Sequence, residues 1–129
     1  MFRLSQKSDY GLILLSNLAR AKKQTAISQI ANKNQISPKF LSQIAQELKK
    51  AGILDSKEGV SGGYSLAQKA DKIKLLDVLK VLDGELVEGK CFEEGHECTC
   101  GAGEMWAEMK TQIEETIGKK TVADLVAHP

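Results

Sequence analysis

The fold is decided by residues 25–67, which read TAISQIANKNQISPKFLSQIAQELKKAGILDSKEGVSGGYSLA. The first part of this stretch places apolar residues at helical spacing in two short runs that a polar turn separates. The second part carries two strand-like runs on either side of a glycine-rich loop. The pattern therefore predicts two short helices followed directly by a β-hairpin.

The two predicted helices have recognisable ends. Thr25 is expected to cap the first of these two helices, and the polar residues 32–35 are expected to end it. The side chain of Ile36 is expected to be buried beneath the turn. Ser37 and Pro38 are predicted to be the N-cap and first residue of the second helix, because proline is tolerated where the amide has no partner. The predicted buried side chains are Ala26, Ile27, Ile30, Ala31, Phe40, Leu41, Ile44, Ala45 and Leu48. This arrangement indicates a helix-turn-helix.

The hairpin distinguishes this motif from a generic three-helix bundle. Gly52 is predicted to end the second helix, and residues 53–57 and 64–67 are strand-like. Residues 58–63 between them include three glycines, which allow positive φ angles and a close approach of the backbone to another surface. A hairpin in this position is the wing of a winged helix-turn-helix. The sequence therefore predicts a mainly α fold with a small antiparallel β wing.

Helices are also predicted on both sides of this motif. One is expected to begin at Ser8 or Asp9 and to end near Ala21, and another to cover residues 73–82 and end at Gly84. Together with the central stretch they make residues 1–83 a predicted winged helix-turn-helix domain. An irregular, cysteine-containing loop is expected to follow over residues 84–103.

A long helix is predicted over residues 104–117, and its apolar residues recur four apart at Met105, Met109, Ile113 and Ile117. Because the winged domain already has its own core, we expect this stripe to pack against a second copy of the chain, forming a homodimer. A short last turn opens with Thr121 and Asp124. Residues 104–129 are therefore predicted to form a dimerisation helix and a C-terminal tail.

Charge is distributed unevenly along the chain. Residues 1–58 carry ten Lys or Arg against four Asp or Glu, whereas residues 59–129 carry eight against thirteen. No acidic residue lies between Tyr10 and Gln46. A basic half attracts polyanions, so double-stranded DNA is the predicted partner. An aromatic content of 5% argues against a single-strand binder built on stacking platforms.

No signal peptide or membrane span is recognisable, since the longest early apolar run, residues 12–15, is far too short for either. We therefore expect a cytoplasmic protein with no membrane partner, in a compartment where thiols stay reduced. An enzyme is not expected, because no nucleophile, base and orienting group form a recognisable set and the histidines are only His96 and His128. A cysteine-dependent enzyme is the remote alternative.

The predicted DNA-reading residues lie at the start of the two central helices and in the wing. Lys39, Ser42 and Gln43 fall on the face that the apolar residues of the second helix leave free, and Gln43 can pair bidentately with adenine in the major groove. Phosphate contacts are predicted at the positive end of the first helix, at Thr25, Ser28 and Gln29. The remaining predicted contacts are Ser37, Lys57, Ser61, Gly62 and Gly63. Capping alone is the alternative role for Thr25 and Ser37.

Cys91, Cys98 and Cys100 lie within ten residues of each other, with His96 between them. In a reducing compartment such cysteines are metal ligands or redox groups before they are structural disulfides. Thiolates suit an iron–sulfur cluster. The same three cysteines with His96 form a chemically sound tetrahedral Zn²⁺ site. A thiol switch that oxidises to a disulfide is the third possibility.

The chain resembles the IscR/NsrR/CymR-type winged-helix transcription regulators of the Rrf family, and the resemblance covers almost its whole length. The matching segments are the opening motif 4–11, the recognition helix 36–43, the wing 59–66, the cysteine loop, Trp106 in the long helix, and residues 122–126. The resemblance implies a homodimer that binds a palindromic DNA operator. In many members an iron–sulfur cluster, [2Fe-2S] or [4Fe-4S], lies between the long helix of one subunit and the N-terminal helix of its partner.

The resemblance also implies that Cys91, Cys98 and Cys100 hold the cluster with a fourth group. Gly103 stands where the cluster-assembly branch has histidine, whereas Asp9 stands where the nitric-oxide-sensing branch has its aspartate ligand. His96 and Glu104 are local alternatives.

The chain departs from the family pattern in three places. Cys98 and Cys100 are separated by a single residue, whereas relatives space all three cysteines more widely. In addition, Ser42 replaces a typical glutamate, and Glu58 replaces a typical wing arginine. The operator sequence of the relatives therefore does not carry over to this chain.

Overall fold

The computed structural model describes residues 5–85, 89–97 and 99–127 of the 129-residue chain. The helices and strands are, in chain order, α1 (Gln6–Ala21), α2 (Ile27–Asn34), α3 (Pro38–Lys50), β1 (Leu54–Lys57), β2 (Gly63–Leu66), α4 (Leu75–Asp83), α5 (Ala102–Ile117) and α6 (Val122–Val126). Short 3₁₀ turns lie at Ala70–Lys72 and Lys90–Phe92. The predicted fold class, mainly α with a small antiparallel β wing, is confirmed.

One hydrophobic core is built around α1, which packs against α3, α4 and α6. The large apolar side chains that are fully buried are Leu14, Leu15, Leu18, Leu41, Ile44, Leu48, Leu54, Val78 and Val122. Burying each of them contributes roughly 1.5–3 kcal/mol, so this core fixes the position of α3. Val122 belongs to α6, and the C-terminal segment therefore contributes to the same core as the central helices.

Helix α1 begins before the predicted start at Ser8 or Asp9. Its N-cap is Ser5, whose Oγ accepts a hydrogen bond from the backbone N–H of Ser8 at 3.0 Å. Ser8 is buried, and its hydroxyl donates to Asp83 at the end of α4. The Ser5 hydroxyl donates to the same carboxylate at 2.5 Å. The predicted start was wrong because a carboxylate distant in sequence engages both serines.

Helix α2 differs from the prediction at its start and ends where predicted. Thr25 does not cap it; Ala26 is the N-cap, and it makes no side-chain capping bond. The polar residues 32–35 end the helix as predicted, since its last residue is Asn34 and it closes at Gln35, which adopts a left-handed φ of 57°. Ile36 is buried in the turn, as predicted.

Helix α3 begins and ends as predicted. The Ser37 Oγ accepts a hydrogen bond from the backbone N–H of Phe40 at 3.4 Å, and Pro38 occupies the first turn. The helix closes at Ala51, and Gly52 follows at a φ of +81°. The orientation of the helix relative to the core follows from the apolar spacing seen in the sequence.

The wing is an antiparallel pair in which Leu54 faces Leu66 and Lys57 faces Gly63. Each strand is shifted by about one residue from its predicted start or end, which is the usual variation at element boundaries. Thr25 pairs with Tyr64 through two backbone hydrogen bonds of 2.9 Å, one donated by each residue. This bridge fixes the wing to the segment that precedes α2.

The C-terminal helices are joined to the domain by a second short bridge, between Lys74 and Thr121. Because this bridge occupies the predicted first turn of α4, that helix begins only at Leu75. The predicted Thr121–Asp124 cap is confirmed, since the Asp124 carboxylate accepts a hydrogen bond from the Thr121 backbone N–H at 2.8 Å.

The cysteine loop contains more regular structure than predicted. A 3₁₀ turn forms at Lys90–Phe92, and α5 already begins at Ala102. The Glu114 carbonyl accepts the backbone N–H of Gly118, which closes α5 at its predicted end. No described side chain of α5 is buried, and Met105 is 50% exposed. Met109, Ile113 and Ile117 are half-buried, and Ile117 packs against the core, so the single chain covers the apolar stripe of this helix only in part.

Candidate DNA-binding interface and cysteine loop

The N-terminal half of α3 presents the predicted base-reading residues to solvent. Lys39 and Gln43 are exposed, and Ser42 is half-buried. Ser37 is also exposed, but its hydroxyl oxygen caps the helix. On the inner side, the ring of Phe40 meets Tyr10 of α1 edge to face, with 5.6 Å between the ring centroids. The packing of the inner side thus orients the outer one.

The start of α2 lies in a basic depression of about 250 Å³. Thr25 and Gln29 line it together with three cationic residues, which are Arg20, Lys23 and Lys33. Ser28 is exposed beside them, whereas the Thr25 hydroxyl donates to the Lys23 carbonyl at 3.2 Å. Sequence reasoning did not name the three cations as contact residues, although the acid-free stretch contained the signal.

A second basic groove, of about 600 Å³, lies between the C-terminal half of α3 and the wing. It is lined by Gln46, Lys49, Lys50, Ser56, Lys57, Glu58, Gly63 and Tyr64. The Lys49 ammonium donates to the Ser56 hydroxyl at 2.5 Å, which ties the recognition helix to β1. Of these residues only Lys57 and Gly63 were predicted as DNA contacts. The paired lysines at the end of α3 were the missed signal.

The wing tip carries the other predicted contacts. Ser61 is exposed, and Gly62 and Gly63 are half-buried. Glu58 is exposed at the base of the tip, so its negative charge faces solvent on the same surface. The two grooves and the tip together form one surface that carries cations on α1, α2, α3 and the wing. Duplex DNA is the ligand that this charge pattern suits.

The turn that carries Cys91 is attached to α5. Cys91 is half-buried, and the neighbouring Phe92 ring lies under the Lys110 ammonium, 5.4 Å from the ring centroid. Lys110 also approaches the Glu85 carboxylate at 3.9 Å. Cys100 is exposed and immediately precedes Gly101, the N-cap of α5. Both cysteines therefore belong to segments that contact or begin this helix.

The predicted fourth ligands lie in different places. Asp9 is exposed in the first turn of α1, His96 is exposed in the loop, and Glu104 is exposed in the first turn of α5. Within residues 5–85, 89–97 and 99–127, no three His, Cys, Asp or Glu side chains are grouped closely enough to hold a metal ion. Cys98, the middle cysteine, lies outside the described residues, so the complete ligand set stays a prediction.

The donor chemistry nevertheless fits a thiolate-bound centre. Cysteine thiolates are the usual ligands of iron–sulfur clusters and of structural zinc. Cys100 stands at the N-terminus of α5, and a helix N-terminus favours negatively charged groups.

In the part of the chain that the structure describes, no helix is long and apolar enough to cross a membrane.

Comparison with known proteins reveals relatives over the whole chain. The regulator CymR of Bacillus subtilis is 28% identical over 128 residues, which are 98% of this chain and 91% of CymR. The structure of that protein, described as the global cysteine regulator, matches with a TM-score of 0.85 and 30% identity, covering 100% of this chain and 99% of the other.

Two further structures have the same fold. T. potens IscR matches with a TM-score of 0.81 and 29% identity, covering 98% of this chain and 87% of the other. The oxidized form of Staphylococcus aureus CymR has a TM-score of 0.81 and 26% identity, covering 99% and 98%. These relatives are regulators and not enzymes, as predicted. A family profile described as "Rrf2: Iron-dependent Transcriptional regulator" matches residues 4–128, and the chain therefore belongs to the Rrf2 family of transcriptional regulators.

Proposed function

We propose that this regulator binds a palindromic DNA operator as a homodimer and that its cysteine loop makes the affinity for DNA depend on a bound iron–sulfur cluster. The DNA part rests on the exposed N-terminal half of α3. Lys39 and Gln43 project there from a helix whose inner side is locked into the core. In a helix-turn-helix this end of the second helix contacts base edges in the major groove.

The phosphate contacts are supported by two basic depressions, one at the start of α2 and one between α3 and the wing. Arg20, Lys23 and Lys33 lie around the start of α2, and Lys49, Lys50 and Lys57 line the groove beside the wing. Most of the affinity is expected to come from these contacts, since phosphate neutralisation dominates protein–DNA binding.

The homodimer is supported by α5. This helix carries Met105, Trp106 and Met109, yet none of its described side chains is buried in the single chain. A helix of 16 residues whose apolar stripe the single chain covers only in part gains stability by packing against a second copy. A two-fold dimer also matches the two-fold symmetry of a palindromic operator.

The sensing part rests on the cysteine loop, which contacts the same helix through Phe92 and Lys110. Cys91, Cys98 and Cys100 are the proposed cluster ligands, and Asp9 of the partner subunit, His96 or Glu104 is the proposed fourth. A bound cluster supplies a group whose redox state and integrity respond to iron and oxidants.

The first turn of α1 is well placed to carry a signal from the loop to the recognition helix. The Lys7 ammonium lies 2.7 Å from the Glu47 carboxylate of α3. Ser8 holds Asp83 at the end of α4. A ligand bound at Asp9 would therefore act on a turn that is connected to both helices. We expect the coupling between the loop and DNA affinity to be about 1–3 kcal/mol.

Two other roles for the loop compete with a cluster. The first is a Zn²⁺ site, formed by Cys91, His96, Cys98 and Cys100. A metal-free thiol switch is favoured by the likeness to CymR, for which an oxidized form is known. Either role would leave the DNA-binding part of the proposal unchanged.

Anaerobic purification distinguishes these roles. Visible absorbance with iron and acid-labile sulfide supports the cluster, and its loss in a Cys91→Ser variant identifies Cys91 as a ligand. Colourless protein with stoichiometric zinc supports the zinc site, and colourless protein without metal supports the thiol switch. Selection of duplexes from a random DNA library tests operator binding separately. Failure to enrich any sequence in any of these states would contradict DNA reading by α3.

A further inference from the structure

The wing tip carries an apolar side chain that the fold itself does not use. Val60 is fully exposed, with a relative accessibility of 109%. Among the described residues, the other exposed large hydrophobic side chains are Val81 at 39% and Met105 at 50%, and both are far less accessible than Val60. Val60 contributes nothing to the core and is fully available to a bound partner.

The backbone presents Val60 on a rigid support. The Gly62 N–H donates to the Gly59 carbonyl at 3.0 Å, which closes a tight turn with Val60 and Ser61 at its centre. A Cβ atom at Gly62 would lie 2.2 Å from the Lys57 carbonyl oxygen, so the turn is closely packed. The bridge between Thr25 and Tyr64 then holds the whole hairpin against the start of α2.

The tip faces the same side of the molecule as the start of α2. Val60, Ser61 and Gly62 line a depression of about 580 Å³ that also includes Lys23, Gln24, Ala26 and Gln29. Lys23 and Gln29 also line the basic depression proposed to contact phosphates. The tip therefore continues the proposed DNA-binding surface, and a role for Val60 on DNA rests on that proposed function.

The turn itself carries no cation with which to recognise the minor groove. A narrow minor groove attracts inserted cations, but residues 58–63 contain no cation and begin with the exposed Glu58. Valine offers only methyl groups. In the minor groove an A·T pair shows acceptors alone, whereas a G·C pair adds the guanine 2-amino donor. An apolar side chain pressed against that donor would leave it without a hydrogen-bond partner, which is unfavourable.

We propose that Val60 contacts the minor groove beside each half-site and selects A·T over G·C there by excluding the guanine 2-amino group. The selection is steric and apolar, so it should not depend on salt. It also assigns base selectivity to a wing that lacks an arginine.

The test uses the full-length protein and the consensus duplex that it recovers from a random DNA library. At the flanking position where A·T is enriched, the pair is replaced by G·C, by inosine·C, which lacks the 2-amino group, and by 2,6-diaminopurine·T, which adds one. Wild-type affinity should fall about five-fold for the two pairs that carry the amino group, the low end of the cost of one wrong base pair. Inosine·C should restore it.

A Val60→Ala variant should bind all four duplexes within about two-fold of each other, while its salt slope stays at the wild-type value because no phosphate contact is lost. Val81→Ala, at an exposed valine on α4 outside the proposed interface, should keep the wild-type discrimination. The proposal is overturned if no flanking A·T is enriched, if inosine·C binds as weakly as G·C, or if Val60→Ala retains the preference. Those results leave operator binding intact, whereas a library that enriches nothing overturns both proposals.

Discussion

Gly63 lies directly against the backbone of Thr25. A Cβ atom on Gly63 would stand 2.3 Å from the Thr25 carbonyl oxygen, and the Gly63 φ angle is +145°. The next residue, Tyr64, exchanges two backbone hydrogen bonds of 2.9 Å with Thr25. The wing and the helix-turn-helix are therefore one rigid unit, joined at a contact that only glycine permits.

A Gly63→Ala variant should lose about 3 kcal/mol of unfolding free energy, because the added methyl group both strains φ and pushes the wing off Thr25. Urea denaturation followed by circular dichroism measures the loss. Gly59→Ala is the matched control, since Gly59 also has a positive φ, +110°, but nothing within 4 Å of the added Cβ. It should lose only about 1 kcal/mol. Equal losses would show that the contact with Thr25 is unimportant.

Capping residues and apolar spacing correctly predicted a helix whose start depends only on residues next to it in sequence. Ser37 and Pro38 were sufficient to predict the start of α3, and its apolar spacing predicted the buried face. The prediction failed where a distant residue competes. Thr25 looks like a cap, but Tyr64 engages its backbone in a β-bridge. Ser8 looks like another cap, but its hydroxyl bonds to Asp83.

The sequence predicted a DNA-binding surface but not all of the residues that line it. The acid-free stretch indicated a DNA-binding surface, but it did not show that Lys49 and Lys50 line a common groove with Lys57. That grouping depends on how the hairpin folds back onto α3, which no local pattern encodes. The attachment of Phe92 to Lys110 was likewise invisible in sequence, because the loop between them has no regular period.

Gln43→Ala should weaken binding to the selected operator by about 1–3 kcal/mol per half-site and relax selectivity at one base pair. Gln43 is exposed on α3 where an amide can pair with adenine. Competition binding with duplexes mutated at each position measures the change. Gln68→Ala, an exposed glutamine outside the proposed interface, should have no effect. An unchanged base preference in Gln43→Ala would remove this residue from the reading set.

Lys57→Ala should make the dependence of log K on log salt shallower by about 0.9 for each phosphate contact that is lost. Glu58→Gln, one residue away, should instead raise affinity at low salt, because it removes a negative charge from the wing. Titrations across a series of salt concentrations measure both effects. Parallel salt plots for Lys57→Ala and the wild type would mean that Lys57 does not approach a phosphate.

Ser8→Ala should lower the unfolding free energy by about 2 kcal/mol, since the buried hydroxyl donates to a carboxylate. Thermal unfolding measures the change. Ser16→Ala on the same helix controls for the difference in helix propensity and should shift stability by less than about 0.5 kcal/mol. If both variants match the wild type, the Ser8–Asp83 bond does not stabilise the junction of α1 and α4.

Met109→Glu should convert the proposed dimer to a monomer, because it places a charge in the middle of the apolar stripe of α5. Sedimentation velocity at a concentration where the wild type is dimeric measures the change, and circular dichroism verifies that the variant folds. Thr111→Glu is the control, since two residues along a helix turn the side chain by about 200°, to the other side of α5. It should remain dimeric.

The monomer should also bind a palindromic duplex far more weakly than the wild type, because only one recognition helix engages at a time. A Met109→Glu variant that sediments as a dimer would require a different subunit interface.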